Sequence, residues 1–328
     1  LIPRSGSVIE FLQYEFLRAN FIFLNLAFTV TFTGVLIKYY EKYVPAFIKK
    51  GYLYGSFAYQ GSEANFLQVI EIPKSYYRHF YLFSSLFSVS SLFYMCMVYF
   101  LGLDVNKNVI LGLRLILQDY ESSGDCLFIH KKIQASSVVT ALVTMTLFTA
   151  QCIRRFYETY YLQVFAKSSK MNLSHYLAGI IHYFACIVVV IECTSAYPFG
   201  KYRREFMYVS TYLLVPSVLL FMWCWYEQYQ ANVIFANMRK DKKSGKVVTE
   251  DHGVPNGRLF EYVSSPHRMC EVIMYTILLI LMPSKTFFCI YLWVLGNQFQ
   301  TAITAHDWYK KTFKTYPTTR RAIIPYIF

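Results

Sequence analysis

Five short stretches hold most of the polar side chains that could do chemistry. TAQCIRRFYETYY (149–161) sets Gln151 and Arg155 one helical turn apart, and Arg154 and Glu158 likewise, the spacing at which helix side chains meet. WYEQYQANVIFANMRK (225–240) puts Gln228, Asn232, Phe235 and Arg239 on one face. GNQFQTAITAHDWYKK (296–311) turns Asn297, Thr301, Thr304 and His306 roughly one way and adds Tyr309. VIEIPKSYYRHFY (69–81) carries Glu71 two residues before Pro73. FEYVSSPHRMCE (260–271) crowds two glutamates, two serines, His267 and Arg268 directly against the apolar run VIMYTILLILM. Each group has a plainer reading. Arg154 and Arg155 could snorkel to an interface. Lone amides and threonines glue helices together. His306 could simply end a helix, and RKDKKSGK (239–246) could be a solvated loop. Polar groups at membrane depth are expensive, however, and their clustering at one end of several apolar runs points to a shared polar cavity.

The elements that must position these groups follow from composition. Hydrophobic residues make up 55% of the 328-residue chain, aromatics 19% and charged residues 16%, too apolar for an ordinary soluble domain. Runs approaching the roughly 20 residues needed to cross a bilayer predict seven spans, at 14–37, 79–102, 134–153, 173–194, 206–236, 270–283 and 286–305. Inside lipid, helices satisfy their own backbone polar groups. The expectation is an all-α, polytopic integral membrane protein, a seven-helix bundle forming one domain over 1–328. NVILGLRLILQ (108–118) is too short to cross and carries Arg114, so it is assigned to the interface. LIPRSGS (1–7) is set aside as a processing remnant, and no separate cleavable signal is expected before the first span.

Charge sets the orientation. Segments 38–78, 154–171, 237–268 and 307–328 hold 22 of the 32 lysines and arginines, against 9 on the opposite side. The positive-inside bias then places the N-terminus in the lumen and the C-terminus in the cytosol. The net charge of +13 reflects this bias and anionic headgroups; nucleic acid is the weaker explanation, since the basic residues are scattered among membrane-flanking loops. The eight cysteines form no C-x-x-C pair and lie mostly in apolar runs, which predicts small buried hydrophobes, with neither a disulfide framework nor a metal site. The sequon Asn172-Leu-Ser174 falls on the expected cytosolic side and is expected to be unused.

NMRKDKKSGKVV (237–248), LFEYVSSPHRMCE (259–271), HDWYKKTFKTYPTTRRAIIPYIF (306–328), CIRRFYETYY (152–161) and IEIPKSYYRHFY (70–81) together resemble the steroid 5-alpha-reductase family, and its polyprenol (polyprenal) reductase branch most closely. The resemblance covers most of the chain after about residue 50. It implies a seven-helix bundle enclosing NADPH at its cytosolic side, with a lipid substrate nearby, in the endoplasmic reticulum membrane. None of the 14 glycines builds G-x-G-x-x-G after a strand, so a dinucleotide would have to lie among helices and loops.

Carried over by resemblance, Arg154, Gln228, Asn232, Arg239, His267 and Tyr309 are cofactor-binding positions, while Glu71, Gln151 and His306 are catalytic candidates. Two departures stand out. The steroid enzymes have a tyrosine where this chain has Gln151, so that phenol donor cannot be copied. His267 stands where the family has an asparagine. The implied reaction is NADPH-dependent saturation of the α-isoprene double bond of a long-chain polyprenoid, giving dolichol or its immediate precursor for N-glycosylation. A very-long-chain enoyl-CoA reductase or a steroid reductase is the enzymatic rival, and a seven-helix receptor the rival of another class. Hydride needs an electron-poor carbon, which an aldehyde conjugated to the double bond provides and an allylic alcohol does not. The aldehyde is therefore the expected substrate.

Overall fold

The computed structural model describes residues 19–53, 71–103, 135–166, 169–193, 206–207, 211–241 and 244–328. The expected interfacial segment 108–118, residues 1–7, Cys126, Lys242 and Lys243 lie outside them.

Eight helices account for most of the described residues: α1 (Ala19–Tyr40), α2 (Ala46–Leu53), α3 (Tyr77–Leu101), α4 (Val138–Tyr157), α5 (Leu173–Glu192), α6 (Thr211–Asn237), α7 (Pro266–Leu281) and α8 (Lys285–Thr312). A helix overlies each of the seven expected intervals. By length and composition, three stretches are long and apolar enough to cross a membrane: Ala19–Tyr43, Lys74–Leu101 and Leu173–Ile191. Local chemistry marks the helix starts. Ser137 Oγ accepts from Thr140 N at 3.2 Å, Asn172 Oδ1 from Ser174 N at 2.8 Å, and Ser284 Oγ from Phe287 N at 3.0 Å, each satisfying an amide that the helix leaves unpaired. Asn172 is thus buried and occupied as a cap, in keeping with an unused sequon.

The all-α expectation omits two short strand pairs. β1 (Glu71–Pro73) runs antiparallel to β3 (Lys170–Asn172), with Glu71 opposite Asn172, and ties the approach to α3 to the start of α5. β2 (Ala135–Ser136) pairs in parallel with β4 (Phe206–Met207). Strands this short carry too little hydrophobic alternation to be read from sequence.

α1 packs along α8, α6 along α7, and α3 against both α4 and α5. Between them sit Met145, Phe148, Ile187, Val189, Met274, Leu278 and Ile290, all buried. Lipid is as apolar as these side chains, so helix association there depends on close packing and polar contacts more than on a hydrophobic drive. At Gly34 a Cβ would overlap the end of the Gln300 side chain and the Tyr52 hydroxyl, so a larger residue would displace those two side-chain ends. Outward-facing Phe28, Leu86, Phe93, Phe100 and Leu219 are exposed, as a lipid-facing surface requires. The seven described cysteines are free, as expected of small packing residues.

Candidate active site

The ends of α4, α6 and α7 meet in one polar network. After α4 the backbone widens into a π-turn, Glu158–Leu162, which buries Glu158 completely. Its carboxylate is paired with Arg155, lies 3.5 Å from Arg154 Nε and accepts from Asn232 Nδ2 at 3.0 Å. Gln151 Nε2 donates to Gln228 Oε1 at 3.0 Å and to Glu271 Oε2 at 3.1 Å, while its own Oε1 accepts from Arg154 at 2.7 Å. Gln228 also receives Arg154, bonds Glu271, and donates to the His267 carbonyl at 2.9 Å. Arg155 reaches across to the Tyr81 oxygen at 3.1 Å. Charge-assisted bonds in a low-dielectric interior are strong when satisfied, so this network fixes the relative rotation of three helices.

The network borders a cavity of about 470 Å³, within the size range that holds a small organic ligand. Its polar lining includes Arg155, Gln163, Gln228, Asn232, His267 and Glu271, and its aromatic and apolar lining includes Phe80, Tyr183, Trp293 and Val294. Gly179 also lines it, and a Cβ there would stand 3.0 Å from the Phe80 ring, so a larger residue would push the ring. Three buried polar atoms of cavity-lining residues, His182 Nδ1, His267 Nδ1 and Arg268 Nε, have no hydrogen-bond partner among the described residues. Buried polar groups are normally satisfied, so such atoms fit a ligand that brings its own polar groups.

The sequence-derived residues separate into four places. Gln228, Asn232 and His267 line the cavity, with Gln151 and Arg154 directly behind them. Arg239 lies beyond the end of α6, where it donates to the Val164 carbonyl at 2.9 Å and contacts His252 at 2.8 Å. Burial first, and then the nearby Arg239 and Lys74, push the His252 imidazole down to about 4. His306 shares a 2.6 Å hydrogen bond with Ser264, whose hydroxyl also meets Tyr316 at 2.5 Å and the Arg321 carbonyl at 3.1 Å. Tyr309 stacks on Tyr316 at 5.4 Å. His306 and Tyr309 therefore belong to a clasp that holds the segment 313–328 against the loop before α7. Glu71 sits in the β1–β3 ribbon, 3.2 Å from Lys170, and is not among the cavity-lining residues.

Glu271, Arg268, His182 and Tyr275 also line the cavity and were not among the sequence candidates. A signal for His182 was present, since an ionisable residue within the apolar run LAGIIHYFACIVVVI is costly without a partner. The Tyr275 partner lies 93 residues away and is invisible to local pattern.

Comparison with known proteins agrees with this geometry. Residues 169–328 match the family described as 3-oxo-5-alpha-steroid 4-dehydrogenase. The chain is 35% identical over 336 residues to the polyprenal reductase of Drosophila melanogaster, an alignment covering 100% of each protein. It is 30% identical over 314 residues to the Caenorhabditis elegans polyprenal reductase, covering 93% of each, and 27% identical to the human one, covering 80% of this chain and 79% of that one. The chain belongs to the steroid 5-alpha-reductase family, in the branch formed by the polyprenal reductases.

Proposed function

We propose that this protein is an NADPH-dependent reductase of a polyprenoid aldehyde, saturating the double bond conjugated to the carbonyl so that the product leads to dolichol. The observation that carries the reading is a cavity lined by both charged or amide side chains and aromatic ones, in a chain similar along its whole length to a polyprenal reductase. The cofactor, when bound, supplies a hydride; the protein supplies binding, orientation and electrostatics.

The residues present fit such a group. Arg154, Arg155 and Arg268 face only Glu158 and Glu271 in and around the network, leaving an excess of positive charge that suits an anionic ligand. Uncompensated buried charge is costly, which favours a partner of opposite sign. Gln228, Asn232 and His267 would hold the nicotinamide and its ribose. Arg239, with Lys74 and His252 nearby, would meet phosphate. Gln151 and Arg154 fix Gln228 in place. Glu71, His306 and Tyr309 remain candidates that support the substrate side indirectly, through the ribbon and the clasp.

We assign the seven long helices to seven spans of one membrane domain in the endoplasmic reticulum, with the polar network and the C-terminus on the cytosolic side. That side carries the basic excess and is where NADPH would enter. Purified protein given NADPH and a polyprenoid aldehyde should yield a product heavier by two hydrogens. Reduction of an enoyl-CoA or a steroid instead would overturn the substrate assignment.

A further inference from the structure

If hydride reaches the β-carbon of the aldehyde, charge appears on the carbonyl oxygen and a proton must follow. Gln151 and Arg154 stand behind the cavity-lining residues, and neither could give up a proton, because an amide is too weak an acid and a guanidinium stays charged. The donor has to be another group. His267, Glu271 and Tyr275 follow one another at four-residue intervals along one face of α7, and all three line the cavity. Eight residues of helix span about 12 Å, so this face follows the cavity for that length. Glu271 is held by Gln151 and Gln228. Tyr275 lies one turn deeper and is 2% exposed.

The Tyr275 hydroxyl shares a 2.7 Å hydrogen bond with His182 Nε2 on α5, and Cys186 Sγ lies 3.8 Å from the same nitrogen. The opposite ring nitrogen, His182 Nδ1, is buried and has no hydrogen-bond partner among the described residues. An unpaired N–H is the costlier orphan, so the proton belongs on Nε2, which then donates to the phenol oxygen. In that arrangement the phenol hydrogen has at most the weak sulfur acceptor of Cys186, from which the carbonyl of a ligand in the cavity can draw it. A pair built only to join helices would leave no donor for a ligand.

We propose that Tyr275 is the proton donor to the substrate carbonyl and that His182 is its positioning residue, an inference that rests on the aldehyde-reduction reading above. As the β-carbon accepts hydride, the alkene pair shifts towards the carbonyl and the carbonyl π pair ends on oxygen. The Tyr275 O–H bond breaks, its proton bonds to that oxygen, and the electron pair left on the phenolate is held by the N–H of His182. The resulting enol tautomerises to the saturated aldehyde, and a proton from water restores the phenol. Tyr77, Tyr81 and Tyr183 also line the cavity; Tyr275 is singled out among these phenols by its buried histidine partner, whereas the Tyr81 oxygen accepts from Arg155.

The test uses the full-length protein in detergent and a short-chain α,β-unsaturated polyprenoid aldehyde. Without cofactor, the carbonyl stretch of the bound aldehyde, read by Raman difference, should be lower in the wild type than in Tyr275→Phe. With NADPH, Tyr275→Phe should lose about 100-fold or more in kcat, the range of general-acid catalysis, with KM little changed. His182→Gln should move the pH profile of kcat while retaining the ring of Tyr275. An unshifted carbonyl stretch and wild-type kcat in Tyr275→Phe would overturn the assignment, as would finding both losses in Tyr81→Phe instead. A wild-type protein that binds the aldehyde and fails to reduce it would instead sink the functional reading on which this one rests.

Discussion

Gln228 Nε2 donates to the carbonyl of His267 at 2.9 Å, joining the C-terminal half of α6 to the first turn of α7. α6 continues past Gln228 to Asn237 before the loop that carries Arg239 and His252, and the cavity-lining Lys74 lies near His252. Gln228 sits where the side chains of Gln151, Arg154 and Glu271 meet its own, at the junction of α4, α6 and α7. Gln228→Leu keeps the approximate volume but removes donors and an acceptor from Arg154, Gln151 and Glu271. Leaving buried polar groups unpaired should cost about 1–3 kcal/mol, measured as a lower unfolding temperature in detergent, together with weaker NADPH binding. A variant with unchanged stability and affinity would show the network to be dispensable.

Glu158 neutralises Arg154 and Arg155 where the π-turn buries it. Removing one partner of a buried ion cluster leaves charge uncompensated, at a typical cost of about 3–5 kcal/mol. Glu158→Ala is therefore expected to yield little folded protein. Fluorescence-detected size exclusion would register the loss, and a monodisperse, normally expressed variant would contradict it.

The Arg239–His252 contact gives a pH dependence. His252 is held at about 4, against an ordinary value near 6.5, because burial, Arg239 and Lys74 all oppose its charging. The neutral ring accepts a hydrogen bond from Arg239, so the stabilisation is complete above pH 6.5. It is lost progressively as pH falls from 6.5 to 4, as the unfolded state takes up the proton first. Amide protection of residues 244–257, corrected for the intrinsic pH dependence of exchange, should fall as pH drops across that window, and His252→Gln, an uncharged acceptor, should flatten the fall.

Arg239→Ala should weaken NADPH binding by about 1.5–3 kcal/mol, the value of a hydrogen bond to a charged group. NADH affinity should change less, since only NADPH carries the extra phosphate. Equal losses for the two cofactors would point instead to the contact of Arg239 with the Val164 carbonyl, and so to a loop-anchoring role.

His306 and Ser264 share a hydrogen bond in the clasp over residues 313–328. His306→Gly should leave a membrane-inserted protein with little turnover, and Ser264→Ala should retain more. Matching losses in both, with equal gains in protease access to the tail, would assign His306 to the clasp alone.

Single-turnover assays should show that the aldehyde is reduced and the corresponding allylic alcohol is not. The protein offers hydrogen-bond donors for a developing oxyanion, as an enal requires. Equal rates on the two lipids, with no aldehyde trapped, would reject that chemistry.

Much of this architecture follows from the chain itself, because the lipid environment makes composition decisive. Long apolar runs become helices with little choice, and the helices over 79–102, 173–194 and 286–305 lie close to their expected bounds. Arg154 and Glu158 were paired from spacing alone, since four residues is one turn, and Gln228 and Asn232 shared a face for the same reason. Motif order carried the family. Only the tertiary structure decided what these faces meet. The strand pair of Glu71 with Asn172 is too short to leave a pattern, and it draws Glu71 to Lys170. His306 found Ser264 and Tyr316 because the tail folds back across the loop before α7. The His182–Tyr275 bond joins residues on helices that nothing in local periodicity brings together. Periodicity fixes which way a side chain points along its own helix; the partner it meets depends on how helices cross, and that is set by packing among residues far apart in sequence.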